Sequence, residues 1–271
     1  MSNPLPRLGL GTWHMGESAV SRGAEIAALR LGLDLGVGLV DTAEMYGDGG
    51  AEEVVGAALQ GRRRDAVQVV TKFYPHNASR RKLPLACGAS LKRLGTERID
   101  LYLLHWRGSV PLAETVEALE KLVDEGRIAR WGVSNFDVDD LRELAAVAGG
   151  AAVAANQVLY NLARRGIEFD LLPHCREAGI DVMAYSPLDE GPLARHAAVK
   201  AVATRLAITP AQACLAWLLR EPGVCVIPKA TREEHVRANV ASGRIALDPE
   251  ALRALDEAFP PPTVRHALEV L

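Results

Sequence analysis

Four side chains in the first half of the chain, Asp41, Tyr46, Lys72 and His105, are of the types that together deliver a proton to a carbonyl oxygen. A phenol has an ordinary pKa of about 10 and gives up its proton slowly at neutral pH. A neighbouring ammonium stabilises the phenolate and is expected to bring that pKa down, while a carboxylate keeps the lysine charged and placed. An imidazole beside them can donate a hydrogen bond to the oxygen as negative charge builds there. Together they would protonate the alkoxide formed when hydride reaches a carbonyl carbon. Taken singly, each has a blander role: a surface aromatic, a turn cap, a strand-end lysine, a core histidine. Their coincidence at the ends of three successive apolar runs argues for chemistry.

Those runs belong to a wider pattern. Strands are expected at Arg7–Gly11, Gly38–Thr42, Val67–Lys72, Asp100–His105, Ala129–Ser134, Val153–Val158, Asp181–Tyr185 and Val224–Lys229. Most are continuously apolar, as parallel strands buried on both faces must be. Amphipathic stretches separate them. Leu112, Val116, Leu119 and Leu122 make one helical stripe, with Pro111 before it and Gly126 beyond it. Thr209-Pro210-Ala211-Gln212 and Thr231-Arg232-Glu233-Glu234 have the form of capping boxes, and Asp137 with Asp140 is expected to cap a further helix. In a chain of 271 residues this alternation predicts an α/β fold, a single-domain (β/α)8 TIM barrel over 1–271, with an open doubly wound sheet as the alternative. A barrel places its chemistry at the C-terminal ends of its strands. The polar residues closing the expected strands are Asp41, Lys72, His105, Ser134, Asn135, Gln157, Tyr185 and Lys229.

The segments Gly9-Leu-Gly-Thr-Trp13, Asp41-Thr-Ala-Glu-Met-Tyr46, Thr71-Lys72, Leu103-Leu-His-Trp106, Gly132-Val-Ser-Asn-Phe136, Asn156-Gln157, Ala184-Tyr-Ser-Pro-Leu188 and Ile227-Pro-Lys229 resemble the aldo-keto reductases, in family order and from about Leu8 to Ala241. The resemblance implies that Asp41, Tyr46, Lys72 and His105 match the catalytic tetrad, with Tyr46 the general acid. It implies that Ser134, Asn135 and Gln157 hold a nicotinamide carboxamide and that Tyr185 stacks on the ring. Gly11, Thr12, Trp13, Ser186, Pro187 and Leu188 complete the implied cofactor surface. Neither Gly9-x-Gly11, followed by His14, nor Gly36-x-Gly38, followed by Asp41, completes a dinucleotide fingerprint, so a Rossmann domain is disfavoured.

At the phosphate end, a helix start after the last strand is a ready anion site. The resemblance puts Lys229, Thr231 and Arg232 against a 2′-phosphate and Asn239 against adenine. Ala230 replaces a common serine and His235 a common arginine, which weakens the grip. NADPH is the expected cofactor, with NADH left open. Trp13, Met45, Tyr46, Phe73, His105 and Trp106 are expected to wall the substrate pocket, with Tyr160 a further candidate and Arg107 a conceivable anion contact. The Asp41–Glu52 stretch and Leu-Leu-His-Trp resemble a bacterial subgroup linked to methylglyoxal reduction, which leans the expected substrate towards 2-oxoaldehydes. The tail from Pro260 to Leu271 is a candidate cover for the barrel mouth.

Composition narrows the rest. A net charge of −3 with scattered Lys and Arg leaves no footprint for nucleic acid. The cluster Arg62–Arg64 reads as a solvated helix end. Cys87, Cys175, Cys214 and Cys225 are far apart, without metal spacing, as in a reduced cytoplasmic protein. No signal sequence is evident, and the uncharged run from Leu144 to Ala163 reads as helix end, turn and strand rather than a membrane span. A monomer acting on a small carbonyl compound is expected, with no metal. Two other readings stay open: a Schiff-base aldolase using Lys72, and a non-catalytic redox-sensing barrel.

Overall fold

The computed structural model describes residues 5–61 and 64–271. Eight strands, β1 (Leu10–Gly11), β2 (Leu39–Asp41), β3 (Gln68–Phe73), β4 (Leu101–Leu104), β5 (Trp131–Ser134), β6 (Ala155–Leu159), β7 (Asp181–Tyr185) and β8 (Val224–Val226), pair in parallel in chain order. The sheet then closes on itself. A parallel bridge joins Leu8 to Val226, and the Gly9, Val226 and Gly11 amides donate to Val226, Arg7 and Pro228 carbonyls at 2.9, 2.8 and 3.0 Å. A Cβ on Gly11 would stand 2.6 Å from the Ile227 carbonyl oxygen, so this seam can close only on glycine. Closure excludes the open doubly wound sheet.

Between strands run α1 (Arg22–Asp34), α2 (Gly50–Leu59), α3 (Leu83–Leu94), α4 (Leu112–Asp124), α5 (Val138–Ala146), α6 (Leu171–Ala178), α7 (Ala197–Arg205) and α8 (Pro210–Leu219). Helices α9 (Glu233–Ala241) and α10 (Pro249–Ala258) follow β8. Alternate strand residues face opposite ways. Leu101 and Leu103 fill the barrel with Leu39, Val70, Met183 and Cys225, while Tyr102 and Leu104 point outward to the helices. The α4 stripe Leu112, Val116, Leu119 and Leu122 is buried against that outer face. Each such side chain contributes roughly 1.5–3 kcal/mol.

The expected caps hold at two helices. Asp137 accepts from the Asp139 and Asp140 amides at 2.9 Å each, and Thr209 with Gln212 forms a reciprocal box. At α9 the expectation fails. The helix starts one residue later than the Thr231 box requires, with Arg232 at the cap and no side-chain acceptor. Arg64 is not a solvated helix end either: it pairs with Asp100 at 2.7 Å and donates to the Val67 and Arg98 carbonyls. Arg62 and Arg63 lie outside the described residues. The uncharged run resolves into the end of α5, a 3-10 turn at Gly150–Ala152 and β6. Among the described residues no single helix is long and apolar enough to cross a membrane.

Candidate active site

A cavity of about 710 Å³ opens at the C-terminal ends of the strands. Asp41 ends β2, Lys72 lies one residue inside the end of β3, and His105 follows β4, so the barrel itself gathers them. Tyr46 comes from the short turn after β2, which returns the chain over the mouth.

Lys72 lies wholly buried beneath the floor. Its Nζ donates to Asp41 Oδ2 at 2.9 Å, to the Thr42 carbonyl at 2.7 Å and to the Tyr46 phenol oxygen at 3.1 Å. An ammonium has three protons and no lone pair, so these three contacts use all it has. Because Tyr46 accepts from Lys72, its own proton is left to point towards the cavity that Tyr46 lines. Asp41 is held from its other side by Gln157 Nε2 at 2.7 Å.

Burial depresses the lysine, but Asp41 and Tyr46 outweigh it and hold the ammonium above its ordinary range. Burial pushes Asp41 up against the pull of Lys72 and Gln157. The phenol departs from expectation. Burial raises the pKa of Tyr46 above 10, and Lys72, its charge already shared with Asp41, does not reverse this. The resting phenol therefore keeps its proton near pH 7. His105 is lowered to about 3, by burial first and Lys72 second, so it is a neutral ring near pH 7. Among the described residues its buried Nδ1 has no hydrogen-bond partner.

Beside this group, Asn135 sits in the left-handed region at φ 58°. Its Oδ1 accepts from the Tyr185 hydroxyl at 3.0 Å, and its Nδ2 donates to the His105 carbonyl at 3.3 Å. Ser134 Oγ donates to the Gln157 carbonyl at 2.8 Å. Amide and hydroxyl groups next to a half-buried phenol ring are the donor set and flat face that a carboxamide-bearing ring such as nicotinamide requires, so the residues fit that group.

The cavity also gathers Gly11, Thr12, Trp13, Met45, Trp106, Ser186, Pro187, Leu188 and Lys229. Other expected residues lie elsewhere. Phe73 is fully buried and packs on Tyr102 in the outer core, because its neighbour Lys72 takes the inward direction. Tyr160 is likewise buried, bonded to Glu168 at 2.8 Å and packed on Trp217. Arg107 is engaged by Asp140 and Glu143 at 3.2 and 2.8 Å. Ala230, Thr231, Arg232, His235 and Asn239 lie outside the cavity. Arg232 donates to His235 Nε2 at 2.7 Å and pairs with Glu234 at 3.4 Å, while Asn239 is buried on α9.

Sequence reasoning did not name His14, Glu190, Gly191, Ile227 and Pro228 among the lining residues. The tail, expected as a candidate cover, does reach the mouth: Val270 and Leu271 line the cavity, and the Leu271 amide donates to the Tyr185 hydroxyl at 3.3 Å.

The model of the aldo/keto reductase family matches residues 7–259. The chain belongs to the aldo/keto reductase family. Among its relatives, methylglyoxal reductase YeaE of Escherichia coli is 50% identical over 98% of this chain and 95% of its own. A crystal structure of an aldo/keto reductase from Klebsiella pneumoniae in complex with NADP and acetate superposes with a TM-score of 0.96 at 51% identity, covering 98% of this chain and 96% of that one. A second structure of a Klebsiella pneumoniae aldo-keto reductase, in complex with NADPH, matches with the same TM-score of 0.96 and 51% identity, over 98% and 95% of the two chains.

Proposed function

We propose that this aldo/keto reductase is an NADPH-dependent oxidoreductase that reduces small aldehydes and ketones, with Tyr46 as the proton donor and 2-oxoaldehydes such as methylglyoxal as preferred substrates. The observation that carries the reading is the 3.1 Å contact in which the buried Lys72 ammonium donates to the Tyr46 phenol oxygen at the cavity floor. NADP- and NADPH-bound relatives support the cofactor, and the methylglyoxal reductase relative supports the substrate class.

When bound, a reduced nicotinamide supplies hydride to the carbonyl carbon. Ser134, Asn135 and Gln157 would hold its amide and Tyr185 its ring, while Lys229, with Thr231 and Arg232 beyond the cavity, would serve the phosphate end. His105, neutral near pH 7, donates to the carbonyl oxygen and polarises it. Tyr46 passes its proton to that oxygen, and the resulting phenolate rests on an ammonium already in place, so little reorganisation is required. Asp41 keeps Lys72 charged throughout. The wall of Trp13, Met45 and Trp106 suits a small neutral carbonyl compound. A Schiff-base role for Lys72 is disfavoured, because a nucleophilic amine needs a free lone pair and this ammonium is held charged by three acceptors.

A steady-state screen of NADPH consumption with methylglyoxal, glyoxal, benzaldehydes and aldoses tests the reading. The highest kcat/KM is expected for a 2-oxoaldehyde, with NADPH preferred over NADH. A best substrate among the aldoses would overturn the substrate class, and NADH equal to NADPH would overturn the cofactor.

A further inference from the structure

Glu44 stands between Asp41 and Tyr46 in sequence, yet it takes no part in the proton transfer described above. Where β2 ends, its pairing with β3 continues for two more rungs: the Thr42 amide donates to the Val70 carbonyl at 2.9 Å and the Glu44 amide to the Lys72 carbonyl at 3.1 Å. The next rung of a parallel ladder would run from the Tyr74 amide to the Glu44 carbonyl. Instead, the Tyr74 amide donates to the Glu44 carboxylate, to Oε1 at 2.6 Å, and the same oxygen accepts from Asn77 Nδ2 at 2.9 Å. A side chain has replaced the last rung of the ladder. That substitution lets the main chain leave the sheet after Glu44 and carry Tyr46 back above Lys72, while the segment after Lys72 stays tied to the same residue.

We propose that Glu44 is a positioning residue whose carboxylate, bracketing Lys72 between its own amide and the Tyr74 amide, sets the separation of Tyr46 from Lys72. The staple also fixes one wall of the cavity. Tyr74 meets the lining residue Trp106 edge-on, with ring centroids 5.8 Å apart, and stacks on His76 at 4.9 Å. The inference rests on the reading of the site as a carbonyl reductase, and its test includes a readout that does not depend on turnover.

The test compares Glu44→Ala, which removes the acceptor, with Glu44→Gln, whose amide oxygen can still accept from both donors. In Glu44→Ala, kcat is expected to fall at least ~10-fold, since small displacements of reacting groups are costly, while the Kd for NADPH changes less than ~2-fold. The Tyr74 amide should exchange with solvent at least ~10-fold faster in the same variant. Glu44→Gln should keep kcat within ~3-fold of wild type and leave the Tyr74 amide protected. Glu44→Asp, too short to reach both donors, is expected to behave as Glu44→Ala and replaces it should the alanine variant not fold. Equal losses in Glu44→Gln and Glu44→Ala, a Kd that rises in step with the loss of kcat, or an unchanged Tyr74 exchange rate would each overturn the proposal. A wild type that reduces no carbonyl would overturn the reading of the site instead, with amide exchange still deciding whether the staple exists.

Discussion

In the proposed mechanism Tyr46 and Lys72 differ in what they do for each other before and after proton transfer, and that difference sets the expected pH behaviour. Since burial holds the Tyr46 phenol above its ordinary range, the acid form is present across the neutral range. His105, near 3, stays neutral down to about pH 4. The kcat for reduction should therefore show no limb from either group between about pH 5 and 9, measured at saturating cofactor and substrate. The same histidine makes the fold acid-sensitive. Its pKa drops from 6.5 when unfolded to about 3 when folded, so it binds a proton preferentially in the unfolded chain, and stability present above 6.5 is lost as pH falls. At pH 5 that cost is about 2 kcal/mol, and at pH 7.5 it nearly vanishes. Thermal unfolding of His105→Gln should accordingly gain on wild type at pH 5 relative to pH 7.5. Arg232, proposed for the phosphate end of the cofactor, pairs with Glu234 at 3.4 Å. Glu234→Gln should raise the NADPH-over-NADH ratio of kcat/KM, by no more than about fivefold because the pair is exposed.

At the scale of elements, the turn carrying Tyr46 depends on how closely the β1–α1 loop can approach α2. Gly16 has φ 74°, and a Cβ there would stand 2.1 Å from the Gly50 carbonyl carbon. Its amide is held by buried Glu25 at 2.9 Å. Gly16→Ala should cost at least about 1–3 kcal/mol in chemical denaturation and lower kcat by displacing the Tyr46 turn. The tail is fastened differently, through Arg265 to Asp139 and Asp170 at 2.8 and 2.9 Å and through Arg164 to Glu269 at 2.7 Å. Limited proteolysis of an Arg164→Ala, Arg265→Ala double variant should cut within 263–271 faster than in wild type; equal rates would mean the ion pairs do not hold it. These elements also show what the sequence made legible. Apolar runs ending in Asp41, Lys72 and His105 marked both the strands and the residues that meet at the cavity floor, because a parallel barrel buries both strand faces and exposes only its ends. Phe73 was misplaced although the same rule contained the answer: with Lys72 inward, two-residue alternation sends Phe73 outward. The Thr231 box failed because the chain continues one residue further before turning into α9.

Across the whole molecule, closing the sheet joins residues far apart in sequence into one floor, as when Gln157 on β6 meets Asp41 on β2 at 2.7 Å. No local pattern in the sequence announces that contact, since it depends on the curl of the sheet rather than on neighbours in the chain. Burial on that floor explains why the phenol is raised and not lowered: a pairwise reading counts the ammonium and leaves out the loss of water. The central claim is that Tyr46 gives its proton to the substrate while other groups bind the cofactor. The most direct measurement is the single-turnover rate of methylglyoxal reduction by Tyr46→Phe, with NADPH affinity read from fluorescence in the same samples. A rate lower by at least ~10²-fold with Kd for NADPH changed less than ~3-fold is predicted; a rate near that of wild type would contradict it.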